Sequence, residues 1–172
     1  ILPASIGNYV WLDEDQDGVQ DADELGIEGV SVTLLDNTGD VITTTTTDVD
    51  GGYSFTDLQA GTYQVQFGTL TGYGRTAAGA GTSDVDSDAN IGTGLSALIT
   101  VAAGEVNDTV DAGLYILPAS IGNYVWIDTD QNGIQDGTES GLGGVTVNLL
   151  NGLGQVIDTD TTDSSGFYGF TN

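Results

Sequence analysis

The chain contains no cysteine, histidine, lysine or methionine, and it has one arginine and two prolines in 172 residues. Without cysteine it cannot form the disulfides that staple many small domains, and a bound metal is the usual substitute. The absence of histidine, cysteine and lysine removes the commonest catalytic nucleophiles, bases and Schiff-base groups. A glycosidase needs only two carboxylates, but nothing in the sequence places such a pair across a cleft. We therefore predict that the chain is not an enzyme.

Positive charge is almost absent, since 26 acidic residues face one basic residue and the formal net charge is -25. Nucleic acids and anionic membrane surfaces repel such a chain, so we expect neither as a partner. The sequence also has no apolar run of transmembrane length, and we expect no direct membrane insertion of this segment. A hydrophobic content of 38% is enough for a packed core. Folding should then need cations to offset the repulsion.

The sequence repeats itself. Residues 1–57 align without a gap on residues 116–172 at a constant offset of 115, and 35 of the 57 pairs are identical. Self-similarity over a unit of this length indicates tandem copies of one module. We predict a complete module at residues 1–115 and the N-terminal half of a second copy at residues 116–172. Since half a module cannot close its own core, we expect the chain to belong to a longer array or fibre.

Hydrophobic residues alternate with polar ones, as expected for half-buried strands, and no segment shows helical periodicity. Seven short strands in about 115 residues indicate an all-β, immunoglobulin-like sandwich of two sheets. The predicted strands of the first module are Ile6 to Leu12, Gly29 to Asp36, Val41 to Thr47, Gly52 to Leu58, Gly61 to Gly68, and two near Ala97 to Val101 and Thr109 to Leu114.

Two acidic segments fit the twelve-residue loop of EF-hand calcium sites, at residues 13–24 and 128–139. Carboxylates at positions one, three and five, glycine at six and glutamate at twelve can wrap one hard cation in oxygens. Strand-like flanks favour an EF-hand-like loop on a sandwich over a helix-loop-helix hand. The candidate Ca²⁺ ligands are Asp13, Asp15, Asp17, Asp21, Glu24 and the Val19 carbonyl in the first loop, and Asp128, Asp130, Asn132, Asp136, Glu139 and the Ile134 carbonyl in the second.

The second loop is less acidic, because Asn132 replaces one carboxylate and Thr138 stands where Asp23 stood. We expect it to bind calcium more weakly or to depend less on ionic strength. The alternative interpretation is that both loops are solvated turns without an ion.

Further candidates lie later in the first module. Asp84, Asp86 and Asp88 alternate in a glycine- and serine-rich stretch and could share an ion with Asp108 or Asp111; a solvated loop is the alternative. Trp11 and Trp126 are expected in the core rather than as sugar-stacking platforms. The single cation, Arg75, is expected in a surface salt bridge.

The sequence resembles a known family, the calcium-binding B domains of serine-aspartate repeat (Sdr-type) adhesins, within the collagen-adhesin B-type (Cna-B-like) sandwich superfamily. The phrases that carry the resemblance are Ile6-Gly7-Asn8-Tyr9-Val10-Trp11, the calcium loop, Gly26-Ile27-Glu28-Gly29-Val30, Gly51-x-Tyr53-x-Phe55, Gly61-Thr62-Tyr63, Asp86-Ser87-Asp88 and Asp111-Ala112-Gly113-Leu114-Tyr115. They span the first module, and those of its N-terminal half recur in the second copy.

The resemblance implies a calcium-stiffened, rod-like spacer whose modules follow head to tail on a bacterial or archaeal cell surface or in a secreted fibre. It also implies additional, weaker calcium sites around the Asp-Ser-Asp phrase. Related domains often carry a lysine-to-asparagine isopeptide bond, which a chain without lysine cannot make. The expected partners are neighbouring copies of the module, in cis and, within a fibre, in trans. Two other functions stay open: a protein- or carbohydrate-binding adhesion module, and a halophilic acidic surface domain without a specific calcium role.

Overall fold

The computed structural model describes residues 2–171, and this part of the chain forms strands and no helix. It divides into two compact units, the first ending at Leu117 and the second beginning at Pro118. No helix in residues 2–171 is long and apolar enough to cross a membrane. The strands of the first unit are β1 (Ala4–Leu12), β2 (Ser31–Asp36), β3 (Val41–Thr46), β4 (Gly52–Leu58), β5 (Gly61–Phe67), β6 (Tyr73–Arg75), β7 (Ile99–Val101), β8 (Val106–Asn107) and β9 (Ala112–Ile116).

The first unit is a sandwich of two sheets. One sheet has the order β4-β1-β9-β6, with β8 also paired to β1, and the other has the order β3-β2-β5-β7. Strand β1 pairs in parallel with both β8 and β9 and antiparallel with β4. The long first strand therefore connects the beginning of the module to its end, which brings β9 beside the loop that follows β1.

The core lies between the sheets and comes mainly from apolar positions of the strands, with Ile27, Val30, Ala89 and Val110 added from the connections. In β2, Val32 and Leu34 are fully buried, while Thr33 between them is partly exposed. Tyr53 packs edge-on against both Phe55 and Phe67. The hydrophobic residues of this core are Ala4, Ile6, Val10, Ile27, Val30, Val32, Leu34, Tyr53, Phe55, Leu58, Val65, Phe67, Ala89, Val101, Val110, Ala112 and Leu114.

The second unit repeats the first four strands as β10 (Ser120–Tyr124), β11 (Thr146–Leu150), β12 (Val156–Thr161) and β13 (Phe167–Thr171). Strand β10 pairs with β13, and β11 pairs with β12. These pairings match β1 with β4 and β2 with β3 in the first unit. The assignment of the second unit as half of a module, from the offset of 115, stays a prediction.

The all-β sandwich predicted from alternation is confirmed, and β1 to β5 begin and end within two residues of the predicted strands. Strands β6 and β8 were not predicted, because three and two residues are too few to show a periodic pattern. They form through pairing with β9 and β1, which lie far away in the sequence.

Candidate metal centres

The first acidic loop follows β1 directly, and its two ends are held together. The Leu12 amide donates to the Leu25 carbonyl at 2.8 Å, and Trp11 forms a β-bridge with Gly26. Asp13, the first loop residue, is fully buried. Its carboxylate accepts hydrogen bonds from the amides of Asp17 at 3.2 Å and Gly18 at 2.9 Å. Gly18 has a φ of +81°, which a side chain would disfavour.

Glu24 closes the loop from its other end. One carboxylate oxygen accepts the Glu14 amide at 2.9 Å, and the other accepts the Asp21 amide at 2.9 Å. Desolvation raises the pKa of Glu24, and the nearby charges of Asp13 and Asp21 raise it further. The hydrogen bonds from the Asp21 and Glu14 amides lower this pKa, so burial is the main cause of the upward shift.

Carboxylate oxygens of Asp13, Asp15 and Asp17 lie within 4.8 Å of one another. Oxygen donors so closely grouped fit the coordination chemistry of calcium, which takes six to eight oxygen ligands. The predicted ligands Asp21 and Glu24 are not in this close group, although Glu24 hydrogen-bonds across the loop. The ligand assignment, including the Val19 carbonyl, stays a prediction.

The second loop has the same backbone arrangement. Asp128 accepts the amides of Asn132 at 3.2 Å and Gly133 at 2.9 Å, and its pKa is lowered chiefly by the bond from Gly133. Here Asp128, Asp130 and Glu139 form the close group of carboxylates. Asp128 is partly exposed, in contrast to the buried Asp13.

The segment 82–88 of the first unit lies against the first loop. The Gln20 amide donates to the Val85 carbonyl at 2.7 Å, and the Ser87 amide donates to the Gly18 carbonyl at 3.2 Å. Val19 and Asp86 form a β-bridge. The sequence gives no signal for this pairing, because it joins two loops about 65 residues apart. It places the two groups of predicted ligands of the first module next to each other.

Asp86, Asp88 and Asp111 form a second acidic cluster, which is largely buried. Asp111 is fully buried and Asp86 is 8% exposed. The Asp111 amide donates to the Asp88 carboxylate at 3.0 Å, and one Asp111 oxygen accepts the Tyr9 amide at 3.2 Å. Asp111 Oδ2 and Asp86 Oδ1 are buried and have no hydrogen-bond partner. This cluster therefore holds buried acceptor oxygens without a donor.

The electrostatics of the cluster follow from this burial. Desolvation and the charges of Asp88 and Asp86 raise the pKa of Asp111 to about 8, although the Tyr9 amide and the Asn8 side chain act in the opposite direction. Desolvation, with the charge of Asp86, raises the pKa of Asp88 to about 6. A carboxyl in such a site either takes up a proton or needs a cation.

The other predicted residues differ from these in exposure. Asp84 and Asp108 are exposed. Within residues 2–171, none of Asp84, Asp86, Asp88, Asp108 and Asp111 belongs to a group of three carboxylates whose oxygens lie within 4.8 Å of one another, so burial rather than close grouping marks the second cluster. Trp11 is fully buried, as expected, and Trp126 is partly buried. The expected salt bridge of Arg75 is wrong: its guanidinium donates to the Phe67 carbonyl at 2.7 Å, and no ion pair with a carboxylate is found for it in residues 2–171. Arg75 joins β6 to β5 and neutralises neither cluster.

The residues fit a calcium ion on two observations of this structure. The two loops offer oxygen donors only, grouped as a hard cation requires. The second cluster contains buried oxygens that the protein leaves without a partner. Calcium binds oxygen donors and would give the unpartnered oxygens a positive partner. Softer metals prefer imidazole nitrogen and sulfur ligands, and the chain has no histidine, cysteine or methionine to supply them.

Comparisons with known proteins agree with this architecture. The family model of the SdrD B-like domain matches residues 4–114 and again residues 119–172. Serine-aspartate repeat-containing protein D of Staphylococcus aureus (strain Newman) is 49% identical over 168 residues, which cover 97% of this chain and 12% of that protein. Protein C of strain MRSA252 is 48% identical over 170 residues, covering 98% of this chain and 18% of that protein. The chain thus spans only a small part of the length of these relatives.

Among solved structures, the Bacillus anthracis TIE protein superposes with a TM-score of 0.63 at 14% identity, covering 99% of this chain and 26% of that one. Identity this low shows a shared fold alone. It supports the β-sandwich architecture independently of the sequence matches.

Proposed function

Because the chain belongs to the SdrD B-like domain family, we propose that it is a calcium-stiffened structural repeat of an extracellular stalk, filament or matrix fibre on a bacterial surface. Family membership supports the general role, which is that of a structural repeat module of a surface protein and not of an enzyme. The calcium dependence, the stiffening and the assembly are the parts that we propose.

One observation carries the calcium role, namely the buried and unpartnered Asp111 Oδ2 beside Asp86 and Asp88. Evolution seldom leaves a buried acceptor unsatisfied, since it costs about 1–3 kcal/mol and more for a charged group. The lone arginine is engaged elsewhere, so the protein itself supplies no positive charge to the cluster. A cation from solution is the simplest group that satisfies these oxygens.

We assign the predicted ligand sets to this role in the first unit. Residues 13–24 would hold one ion, and Asp86, Asp88 and Asp111 would hold another, with Asp84 and Asp108 at the exposed margin. Bound calcium would supply the positive charge that the carboxylates of Asp88 and Asp111 lack, and its binding would oppose the rise in their pKa. The protein contributes the positions: β1 carries the first loop, the segment 82–88 lies against that loop, and Asp111 immediately precedes β9.

Stiffening follows from which parts of the chain these ligands belong to. Asp13 follows the first strand of the module, Asp86 lies in a loop without strand structure, and Asp111 comes before the last strand. A cation shared by Asp86, Asp88 and Asp111 would link two segments that are 23 or more positions apart, while the separate ion of residues 13–24 would hold the loop that follows the first strand. Such a cross-link has the role that disulfides play in other small extracellular domains. Without it, we expect the segment 82–88 and the first loop to loosen before the sandwich unfolds.

The proposed partners are neighbouring copies of the module, in cis and, within a fibre, in trans. Three residues separate β9 from β10, which supports an array without long flexible linkers. The extracellular location is part of the proposal, and it accords with millimolar calcium outside cells.

The test is thermal unfolding of the 172-residue chain in millimolar calcium, in chelator, and in magnesium, all at constant ionic strength. Calcium that binds the native state raises the midpoint by mass action, and the expected shift is about 10 °C or more. Glu24→Gln should reduce the shift. Glu28→Gln is the matched control, because Glu28 is an exposed acidic residue outside the loop.

A midpoint that is equal in calcium and chelator would overturn the calcium role. A rise that follows sodium chloride as well as calcium would favour the halophilic interpretation. An equal effect of both glutamine variants would mean that net charge matters and the loop does not.

A further inference from the structure

The two acidic loops share one hydrogen-bond scaffold. In both, position one accepts the amides of positions five and six, position three accepts the amide of position five, and position five accepts the amide of position seven. In both, the glutamate at position twelve accepts the amides of positions two and nine. The loops can therefore be compared atom by atom.

They differ at position five. Asn132 Nδ2 donates to the Asp130 carboxylate at 2.9 Å and to the Asp136 carboxylate at 3.1 Å. Asp17 holds the same position in the first loop, and an ionised carboxylate there can only accept. The second loop thus has an internal donor between two of its carboxylates, at the place where the first loop adds a further negative charge.

We propose that the Asn132 amide acts as an internal substitute for the cation, so that the second loop keeps its closed shape without calcium while the first loop needs the ion. The inference rests on the proposed function for what calcium adds, but the effect of Asn132 is measurable in chelator alone. The repeated loop would then exist in two forms: the first loop closes when calcium binds, and the second loop is closed without calcium.

The charges of the loops point the same way. Residues 13–24 contain seven acidic groups: Asp13, Glu14, Asp15, Asp17, Asp21, Asp23 and Glu24. Residues 128–139 contain four: Asp128, Asp130, Asp136 and Glu139. Like charges a few ångströms apart repel, whereas a hydrogen bond to a charged group stabilises more than one between neutral groups. The first loop therefore has more repulsion and no compensating side-chain donor at position five.

The test is amide hydrogen exchange of the 172-residue chain, followed in peptides that cover each loop, in chelator and in calcium at equal ionic strength. In chelator, Asn132→Asp should speed exchange of the second loop by about tenfold, equivalent to about 1.4 kcal/mol. Thr129→Glu is the matched control: it adds the same charge, copies Glu14 of the first loop and leaves the amide in place, and it should change exchange less than twofold. Asp17→Asn should slow exchange of the first loop in chelator.

Each comparison is made within one loop, because the segment 82–88 gives the first loop backbone contacts of its own. Peptides from β10 to β13 report whether a variant unfolds the second unit. If Asn132→Asp does so, Asn132→Ala removes the donor without adding charge, together with the acceptor for the Ile134 amide, and should still speed loop exchange.

Unchanged exchange in Asn132→Asp, or an equal effect of Thr129→Glu, would overturn the proposal. If calcium slows exchange in neither loop, the proposed function fails, and the chelator data still decide the role of Asn132.

Discussion

Asp111→Asn is expected to change the stability of the first unit in opposite directions with and without calcium. The wild-type side chain is fully buried, and its Oδ2 has no partner. Asparagine has the same shape, keeps an oxygen for the Tyr9 amide and places an N–H donor beside Asp86 and Asp88. In chelator the variant should be more stable than wild type; in calcium it should be less stable, since one anionic ligand is lost.

The size of the effect without calcium follows from the raised pKa. Folding moves the pKa of Asp111 from 3.8 to about 8, so the folded protein binds a proton more tightly than the unfolded chain does. The contribution of Asp111 to the free energy of unfolding is therefore fully present below about pH 4, and it is lost as the pH rises toward 8. At pH 7 the loss has a ceiling of about 4 kcal/mol, at 1.36 kcal/mol per pKa unit. Since Asp88 titrates with Asp111, we take about 2 kcal/mol as the expected value.

The assay is urea unfolding in chelator at several pH values between 4 and 8. Wild-type stability should fall across this range, and the fall should be smaller in Asp111→Asn. The two proteins should differ by about 2 kcal/mol at pH 7, by somewhat more at pH 8, and by little at pH 4. Asp108→Asn is the control, because it removes an exposed carboxylate from the same segment.

Three results would refute this reasoning. The first is a wild-type stability that is flat, or that rises, between pH 5 and pH 8 in chelator. The second is destabilisation by Asp111→Asn in chelator at pH 8. The third is an equal response of Asp108→Asn, which would attribute the effect to net charge.

Two further predictions concern the framework of the first unit. Thr47→Val should cost about 2–3 kcal/mol in urea unfolding, because the buried Thr47 hydroxyl donates to the Ile27 carbonyl at 2.6 Å and accepts the Val30 amide at 3.0 Å; a cost below about 0.5 kcal/mol would contradict this role. Gly51→Ala should cost about 3 kcal/mol or more, since its φ is +87° and a Cβ would lie 2.5 Å from a backbone carbonyl oxygen. Gly39→Ala, with a φ of +90° and open space around it, should cost about 1 kcal/mol in the same assay, and equal costs would show that the close contact is unimportant.

The sequence predicts the fold of this chain well where the pattern is local. Strands β2 and β5 show alternation of apolar and polar residues, β3 is a run of β-branched residues, and glycine- and aspartate-containing turns separate the strands. What the sequence does not reveal is long-range pairing. The parallel contacts of β1 with β8 and β9 depend on which strand ends meet after folding, and no local pattern records this.

The candidate sites show the same contrast between local patterns, which the sequence reveals, and long-range contacts, which it does not. The spacing of residues 13–24 predicts a group of carboxylates in one loop, because all the candidate ligands come from one short segment. The second cluster joins Asp86 to a residue 25 positions away, so the sequence left Asp108 and Asp111 as alternatives. The structure distinguishes them by burial, since Asp111 is fully buried and Asp108 is exposed. Both residues lie in the connection between β8 and β9, so which carboxylate is buried depends on how these two strands pair with β1, and only the folded sheet sets this.

Net charge alone does not account for the proposed dependence of this chain on a cation. Several carboxylates lie in turns where protein groups already stabilise them: hydrogen bonds from the Thr38 side chain and from backbone amides lower the pKa of Asp36, and a bond from the Ser165 side chain lowers that of Asp163. Such exposed groups respond mainly to screening. Asp111 lies where screening is weak, because mobile salt ions do not enter a buried site. Sodium chloride should therefore raise the stability of the metal-free chain only slightly, and the stability should still fall between pH 4 and pH 8. Calcium, in contrast, should remove this fall in stability. If 1 M sodium chloride removed it equally, the buried cluster would not be the reason for cation dependence, and the overall charge of -25 would be sufficient.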